Sequence, residues 1–279
     1  MSPHPARART SGERAAGKTQ AEVLEQWEGD PSFMQSLARG LLVLNAVAKA
    51  QNGSSSIPEL VALTGLPRAT VRRCIYTLES IGYVRSVPDG AAPGPELVGM
   101  TTSFFSSSPI LAAYKPIIAK LRDDTGQSVA FGLYEGWQAL FVSDAPSRSS
   151  VRIWTLPTAE FPLYSMSIGR ILLASKSEAE LADYLRKVDL VAHTERSIVT
   201  AKGIRDEVKQ ARASGYSIVD EEVEIGLRSV TVPVYNGSGS LAAWININTH
   251  VNITGARELK SKILPKMLSA AEELSNLAP

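Results

Sequence analysis

Between residues 35 and 82 the apolar positions recur at helical spacing in three short runs, and turn or capping residues separate these runs. The first run predicts an amphipathic helix whose buried face is formed by Leu37, Leu41, Leu44 and Val47. The second run starts at Ser56 with the capping-box pattern Ser-x-x-Glu, and Gly65 ends it, because glycine readily takes the left-handed conformation of a sharp turn. The third run follows Pro67 and predicts a buried stripe formed by Val71, Ile75, Leu78 and Ile81. The last two helices are predicted to form a helix-turn-helix.

The other side of the third helix is basic near its start. A basic face on an isolated helix is as often simply solvated, but this helix follows another helix and a tight turn, which is the geometry that inserts a helix into the DNA major groove. Arginine can bridge O6 and N7 of guanine, and small residues allow close approach to base edges. We therefore predict that bases are read by Arg68, Ala69, Thr70 and Arg72, and that phosphates are contacted by Arg73 and Tyr76.

A wing is expected after the helix-turn-helix. Residues 83–87 alternate as a strand does, and Asp89-Gly90 predicts a hairpin turn. Residues 91–95, Ala-Ala-Pro-Gly-Pro, have little strand character. The wing is therefore expected to be truncated or to have an irregular return strand.

Beyond residue 116 helical runs are mixed with short alternating runs. A helix through Ile117, Ile118 and Leu121 is expected to end near residue 125. Further helices are predicted at residues 167–174, 177–188, 202–213 and 254–274, and strands at residues 129–134, 139–143, 151–155, 216–219, 229–235 and 241–249. The predicted fold class is α+β, with an N-terminal winged helix-turn-helix and a C-terminal domain in which helices flank a curved antiparallel sheet.

The chain of 279 residues is expected to have four parts. Residues 1–32 form a charged arm that is expected to be disordered, and residues 33–95 form the winged helix-turn-helix. Residues 96–115 form a linker helix, and residues 116–279 form the second domain.

Charge and reactive side chains narrow the possible functions. The net charge is +1, so attraction to nucleic acid must come from local basic patches. The single cysteine, Cys74, is expected to be core filler, and the three histidines lack metal-ligand spacing. No apolar run has the length of a membrane span or a secretory leader. We expect a soluble, cytoplasmic protein with no cofactor and no metal.

Four acidic residues are the main candidates for a metal site or for acid–base catalysis, namely Asp220, Glu221, Glu222 and Glu224. No cluster of His or Cys accompanies them, and the chain has no catalytic-triad order and no phosphate-binding glycine loop. A solvated acidic loop, or a salt bridge to Arg228, is the favoured interpretation. No catalytic residue is assigned, and an enzyme is not expected.

Several blocks of the chain, in order from residue 33 to its end, resemble the IclR family of bacterial transcription regulators. These blocks start at Gln35, Leu63, Pro162, Gly215 and Glu224. They look most like the branch that controls protocatechuate, p-hydroxybenzoate and β-ketoadipate catabolism. The resemblance implies a winged helix, an effector-binding domain for small metabolites, often carboxylates, and dimers, commonly paired into tetramers, on DNA. The wing departs from the family pattern, because it lacks the usual Tyr-x-Leu-Gly return.

The resemblance also implies effector contacts, which map by motif to Ser167, Ile168, Val219, Ser229, Asn246 and Asn248. The residues themselves support such a site, because a loop enters a helix at residues 165–169, and free N–H groups at a helix start, including that of Gly169, can hold an anion. Strand alternation places both asparagines on one face with Trp244 and His250. The alternative is that these are satisfied polar groups of the core. Four aromatic residues could line a pocket or fill the core: Phe131, Tyr134, Trp137 and Trp154.

The leading hypothesis is a dimeric or tetrameric transcription regulator that binds a double-stranded DNA operator. A small effector, an aromatic or dicarboxylic acid, would change that binding. Two other classes remain open, namely a small-molecule-processing enzyme with an accessory winged helix and an architectural DNA-binding oligomer without a ligand. Turnover of candidate acids would favour the enzyme, and the absence of any saturable ligand would favour the architectural protein.

Overall fold

The structure is a computed structural model, and it describes residues 24, 27–50, 52–88, 90–106, 109–147 and 162–277. These residues form two compact units, the first ending at residue 106 and the second beginning at residue 109. Most of the predicted arm at residues 1–32 lies outside the described residues. The predicted strand at residues 151–155, with Trp154, also lies outside them.

The first unit contains the predicted helix-turn-helix. Its elements are α1 (Gln35–Ala48), β1 (Ser55–Ser56), α2 (Ile57–Thr64), α3 (Arg68–Ser80), β2 (Val84–Val87), β3 (Gly90–Pro93) and α4 (Glu96–Ser106). Ser56 caps α2, and Glu59 completes the capping box by accepting a hydrogen bond from the Ser56 backbone. Gly65 ends α2 with a φ of 71°, as the turn requires. The local signals of capping and turn formation therefore fix this motif as predicted.

Three residues that were predicted to lie in the core of this unit are exposed, so these predictions are wrong. Leu37 and Leu41 are 57% and 51% exposed, because the buried arc of α1 is centred on Val43 and Val47 and leaves the two leucines on its margin. Ile81 is 55% exposed, because α3 ends at Ser80 and the helical periodicity does not extend to the next residue.

The wing is regular, so the expected truncated or irregular return strand is wrong. Strand β3 pairs along its length with β2 and at its start with β1, which makes it the centre of a three-stranded antiparallel sheet. A Cβ on Gly90 would lie 2.0 Å from the carbonyl oxygen of Ser55, and Ala91 and Ala92 are completely buried. Strand propensity favours large side chains on a half-buried surface, whereas this enclosed strand requires small ones.

The second unit starts with helix α5 (Pro109–Thr125), which begins well before the predicted start near Ile117. Pro116 would be expected to interrupt this helix, because proline in a helix interior removes a backbone hydrogen bond. It lies inside α5 nevertheless. Ile117, Ile118 and Leu121 are buried, and packing of this apolar face maintains the helix.

A five-stranded antiparallel sheet forms the centre of this unit. Its strands are β4 (Val129–Glu135), β5 (Gln138–Ala145), β6 (Ser217–Asp220), β7 (Leu227–Tyr235) and β8 (Leu241–His250), in the order β5-β4-β8-β7-β6. Helix α6 (Ser167–Ala174) packs on one face, where Ser167 is hydrogen-bonded to β7 and β8. Helix α5 packs on the other, where Tyr114 stacks on Phe131 of β4 at 4.6 Å between ring centroids.

The remaining helices are α7 (Glu178–Lys187), α8 (Ala201–Ser214) and a C-terminal series. The series was predicted as one helix but consists of α9 (Ala256–Glu258), a π-helical turn (Leu259–Ile263) and α10 (Leu264–Ser275). The α+β class, with an N-terminal helix-turn-helix and an antiparallel sheet flanked by helices, is confirmed.

Candidate functional site

The start of α3 presents the predicted DNA-reading residues on an open surface. Five of the six are exposed, namely Arg68, Ala69, Arg72, Arg73 and Tyr76, and Thr70 is half-buried. On the opposite side of α3, the core contains Val71, Ile75 and Leu78. Within the described residues none of the three arginines takes part in an ion pair, so each guanidinium is available for a phosphate or a base edge.

The same surface includes the start of the helix itself. No side chain caps α3, so its first backbone N–H groups, next to Arg68, have no side-chain acceptor. Helix N-termini and backbone amides commonly hold DNA phosphates. On the wing, Arg85 and Ser86 of β2 are exposed as well.

A second candidate site lies in the second unit, where four polar side chains meet between α6 and the sheet. The Ser167 hydroxyl lies 2.7 Å from that of Ser229 and 2.8 Å from that of Thr231. The Asn246 amide nitrogen donates to Ser229 Oγ and to Thr231 Oγ1, each at 2.9 Å. Ser167, Thr231 and Asn246 are buried and Ser229 is half-buried. We call these four residues the hydroxyl–amide cluster.

One atom of the hydroxyl–amide cluster has no partner. The Asn246 amide nitrogen, whose two hydrogens are shared among these contacts, also lies 3.0 Å from the Val230 carbonyl oxygen. A carbonyl can only accept, so the orientation of the amide group is fixed. Its oxygen Oδ1 is therefore turned away from these partners, and it is buried without a hydrogen bond in the described part of the chain. Buried polar atoms are nearly always paired, so this one needs an explanation.

The start of α6 supplies donors beside the hydroxyl–amide cluster. No side chain caps this helix, and within the described residues no hydrogen bond is formed by the backbone N–H groups of Ser167, Ile168 and Gly169. Gly169 has a packing role besides, because a Cβ there would lie 2.1 Å from the Leu163 carbonyl oxygen. Ile168 accepts a hydrogen bond through its carbonyl from the Tyr134 hydroxyl at 2.8 Å, and burial raises the pKa of Tyr134 well above its ordinary value, which keeps that donor protonated.

The strand register brings the other predicted residues to the same place. Ser229 of β7 lies opposite Val219 of β6 on one side and opposite Asn248 of β8 on the other. Val219 is buried and Asn248 is half-buried. The seven residues predicted for effector binding therefore lie around the start of α6 and the sheet face beneath it.

Two residues of this region were missed by the sequence analysis. Thr231 belongs to the hydroxyl–amide cluster, and the two-residue alternation from Ser229 could have identified it. Trp244 was placed on the right face of β8 but given no role, although its buried indole nitrogen has no hydrogen-bond partner in the described residues. A sequence pattern carries no signal for such an unpaired atom.

The aromatic residues have separate roles. Tyr134 packs with Ile168 and Trp244 in one buried cluster, next to the hydroxyl–amide cluster. Phe131 faces α5 on the other side of the sheet, and Trp137 stacks on Tyr184 at 6.0 Å between centroids. Phe131 and Trp137 therefore have core-packing contacts.

The acidic run is only partly solvated: Glu224 is exposed, but the interpretation as a solvated loop is wrong for Glu221 and Glu222, which are buried. Glu222 is buried and forms a two-pronged ion pair with the fully buried Arg170, with contacts of 2.8 and 2.6 Å. Glu221 is buried and pairs with Arg196. The predicted salt bridge from Arg228 is confirmed, with Asp220 as its partner at 2.8 Å. Burial of these carboxylates is possible because each has a cationic partner.

A small cleft of about 120 Å³ lies at the β6 edge of the sheet, beside α8 and α9. Asp220 and Arg228 line it, but they pair with each other there. Among the described residues no three His, Cys, Asp or Glu side chains are grouped as a metal site would require, and none of the described helices is long and apolar enough to cross a membrane.

Comparisons with known proteins agree with this architecture. Residues 36–88 match the family model of the IclR helix-turn-helix domain, and residues 102–276 match that of the bacterial transcriptional regulator IclR C-terminal domain. The chain is 33% identical over 255 residues to the Pca regulon regulatory protein of Pseudomonas putida, with 91% of this chain and 87% of that protein covered.

Solved structures show the same fold. A transcriptional regulator from Rhodococcus sp. RHA1 has 29% sequence identity and a TM-score of 0.74, with 88% of this chain and 98% of that chain covered. An IclR homolog from Microbacterium hydrocarbonoxydans, complexed with 4-hydroxybenzoate, has 16% identity and a TM-score of 0.74, with 87% of this chain and 98% of that chain covered.

Proposed function

The chain belongs to the IclR family of bacterial transcriptional regulators, and from this premise we propose that a small carboxylic acid bound in the second unit changes the affinity of the first unit for an operator. The protein is a DNA-binding transcriptional regulator rather than an enzyme. Its likeness to the Pca regulon regulatory protein agrees with the protocatechuate branch that the sequence resembles. In this proposal helix α4 belongs to the linker.

We assign operator reading to the start of α3. Arg68, Ala69, Thr70 and Arg72 would contact base edges, and Arg73 and Tyr76 would contact phosphates. Their exposure, together with the absence of ion-pair partners for the arginines in the described residues, supports this assignment. Sequence reading in the major groove needs free donors and close approach, and both are available on this helix.

The observation that carries the effector proposal is the set of unpaired polar groups at the start of α6. The free N–H groups of residues 167–169 would donate hydrogen bonds to the carboxylate of an aromatic or dicarboxylic acid. Its remaining polar groups would reach Ser229, Asn246 and Asn248, while Val219 and Ile168 would supply apolar contacts. A fully satisfied polar core would leave no such groups.

Such a ligand can change operator binding only if it binds more tightly to one conformation of the protein than to another. A coupling free energy of about 1–3 kcal/mol would change operator affinity about 5–150-fold. The coupling is reciprocal, so operator DNA must change the affinity for the acid by the same factor.

The test uses calorimetry with protocatechuate, p-hydroxybenzoate and β-ketoadipate, and anisotropy of a labelled operator with and without the acid that binds. Replacing Asn246 or Asn248 with Leu should abolish the response to the acid and leave ligand-free DNA binding unchanged, because the asparagines and α3 belong to different units. The same change at the exposed Asn276 of the C-terminal helix series is the matched control. Unchanged acid affinity in both site variants would place the pocket elsewhere.

We also propose that the regulator acts as a homodimer or homotetramer. One winged helix covers too little DNA for a unique genomic site, and twofold pairing supplies the missing specificity. Met34, Leu37 and Leu41 lie along one exposed side of the chain at the start of α1, which supports a protein contact there.

A further inference from the structure

The cleft at the β6 edge of the sheet lies beside an open strand edge. Among the described residues β6 is paired only with β7, so its other side has no neighbouring strand. Residues of α8 line the cleft on one side, and residues of α9 and the π-helical turn line it on the other. We call this space the edge cleft. An open strand edge offers a ligand main-chain hydrogen bonds in addition to those of side chains.

The register of β6 shows which backbone groups face the edge cleft. In an antiparallel pair of strands, hydrogen-bonded and non-hydrogen-bonded residues alternate. The Glu221 N–H donates to the Leu227 carbonyl at 2.7 Å, so Val219 belongs to the hydrogen-bonded set and Ile218 does not. The N–H and C=O of Ile218 therefore point away from β7 at the place where Ile218 lines the edge cleft. In the described part of the chain neither group has a hydrogen-bond partner.

The charged side chains of the edge cleft balance one another. Arg228 is buried, and it pairs with Asp220 at 2.8 Å. Glu207 of α8 and Lys260 of the π-helical turn add one charge of each sign. A monoanion gains no net attraction from such a lining, whereas a ligand with one positive and one negative group preserves the balance.

The size of the edge cleft limits its ligand. Its volume is about 120 Å³. Benzene alone occupies a cavity of about 150 Å³, so an aromatic acid is too large to fit within the edge cleft. The cleft also shares none of its lining residues with the seven residues proposed to bind the effector. It is therefore separate from the proposed effector site and suits a smaller molecule.

We propose that the edge cleft is a second ligand site and that its ligand is a small α-amino acid such as alanine. The free amino acid pairs with Ile218 as a strand of one residue would. Its carboxylate accepts a hydrogen bond from the Ile218 N–H, and its ammonium group donates one to the Ile218 carbonyl. In the amino acid, as in Ile218, the two groups are attached to one carbon atom, so their spacing matches that of an antiparallel pair.

The test compares alanine with two molecules that each lack one of its charged groups. In calorimetric titrations alanine should bind. Propionate, which lacks the ammonium group, and ethylamine, which lacks the carboxylate, should each bind at least about 10-fold more weakly. Phenylalanine should also bind more weakly, because its ring exceeds the volume of the cleft.

Two variants locate the site. Ala256 is exposed and lines the edge cleft, so Ala256→Phe should fill the cleft and abolish alanine binding. Ala213→Phe places the same ring at an exposed position of α8 that does not line the cleft, and it should bind alanine as wild type does. Thermal unfolding of both variants shows whether each is folded.

A second readout follows the Ile218 N–H in the wild-type protein. With ¹⁵N-labelled isoleucine, the amide resonance of Ile218 is the one that is missing from Ile218→Val. This resonance should shift when alanine is added, and propionate should shift it much less. The measurement stays informative if Ala256→Phe folds poorly.

The outcomes bear on the edge cleft alone. Failure of alanine to bind, or equal affinity for alanine, propionate and ethylamine, overturns the proposal. Alanine binding that folded Ala256→Phe retains, or that leaves the Ile218 resonance unchanged, overturns it as well. The effector proposal is unaffected by these results, because the larger acids and the Asn246 and Asn248 variants test it separately.

Discussion

At the scale of single residues, Arg170 connects the proposed effector site to the rest of the second unit. It lies in α6, is completely buried, and donates to the Tyr164 carbonyl at 2.9 Å as well as to Glu222. Glu222 in turn accepts from the Ile198 backbone at 3.2 Å. One guanidinium thus joins three segments of the chain, and its loss would leave a carboxylate buried without a counter-charge.

We predict that Arg170→Met destabilises the protein by about 3–5 kcal/mol, because removal of one member of a buried ion pair leaves the other charge buried without a partner. The double variant Arg170→Met/Glu222→Met should recover part of this loss, since no isolated charge remains. Urea denaturation checks both variants. Lys262→Met, which breaks an exposed pair with Glu258, is the control and should have little effect. An equally unstable double variant would contradict the role assigned to the pair.

We predict that Arg68→Ala or Arg72→Ala weakens operator binding. Replacing an arginine that contacts a base should cost about 1–3 kcal/mol of binding free energy and weaken the sequence preference at one operator position. Replacing an arginine that contacts a phosphate should weaken binding to all sequences alike. It should also reduce the slope of log affinity against log salt concentration by about 1. Anisotropy titrations at several salt concentrations distinguish the two cases. Arg122→Ala, in α5 of the other unit, is the control, and full operator affinity of the double Arg68, Arg72 variant would refute the assignment.

At the scale of elements, helix caps account for several boundaries. Ser177 caps α7, and Glu180 completes the capping box by accepting from both the hydroxyl and the backbone of Ser177. These hydrogen bonds favour the ionised carboxylate and lower the pKa of Glu180 below its ordinary value. A lowered pKa in the folded protein means that the carboxylate stabilises α7 at neutral pH.

We predict that Ser177→Ala costs about 1 kcal/mol of stability at neutral pH. The Glu180 contribution is present above the ordinary pKa of 4.5 and is lost as the pH falls through the lowered value. The unfolding temperatures of wild type and Glu180→Gln should therefore differ at pH 7 and converge as the pH is lowered. Thermal unfolding at pH 7 and at progressively lower pH measures both. A constant difference between them down to pH 3 would argue against the capping box.

Local signals in the sequence predicted elements well where they are chemically specific. The Ser56 capping box, Gly65 and the bounds of α6 needed only neighbouring residues. Strand β3 and the continuity of α5 through Pro116 could not be predicted in this way, because they depend on enclosure by other elements. Burial of Leu37 and Leu41 was predicted from periodicity, which gives the direction of a face but not its width.

The candidate effector site was predictable in part. Strand alternation placed Asn246 on the correct face, and the loop-to-helix pattern located the start of α6. Glu222 was misjudged, because its partner Arg170 is distant in sequence and no local pattern reveals such a pair. The unpaired atoms of Trp244 and Asn246 depend on the positions of every neighbour, so only a three-dimensional arrangement reveals them.

At the scale of the whole molecule, exposed apolar residues bear on the proposed assembly. We predict that Leu37→Ser combined with Leu41→Ser shifts the protein toward the monomer, because both side chains lie on the exposed side of α1 and contribute little to its core. Light scattering over a range of concentrations measures the shift. Leu63→Ser, at an exposed position in α2, is the control. An unchanged mass would place the protein contact elsewhere.

The pairing of β1 with β3 also bears on how the first unit folds. Ser55 pairs with Ala91, so the helices α2 and α3 lie inside a loop that the small sheet closes. Closing this loop costs chain entropy that only the packing of both helices can offset, so sheet and helices should form together. During synthesis the DNA-reading helix α3 would therefore not be stably folded until Pro93, the last residue of β3, has left the ribosome. All residues of α3 itself emerge earlier.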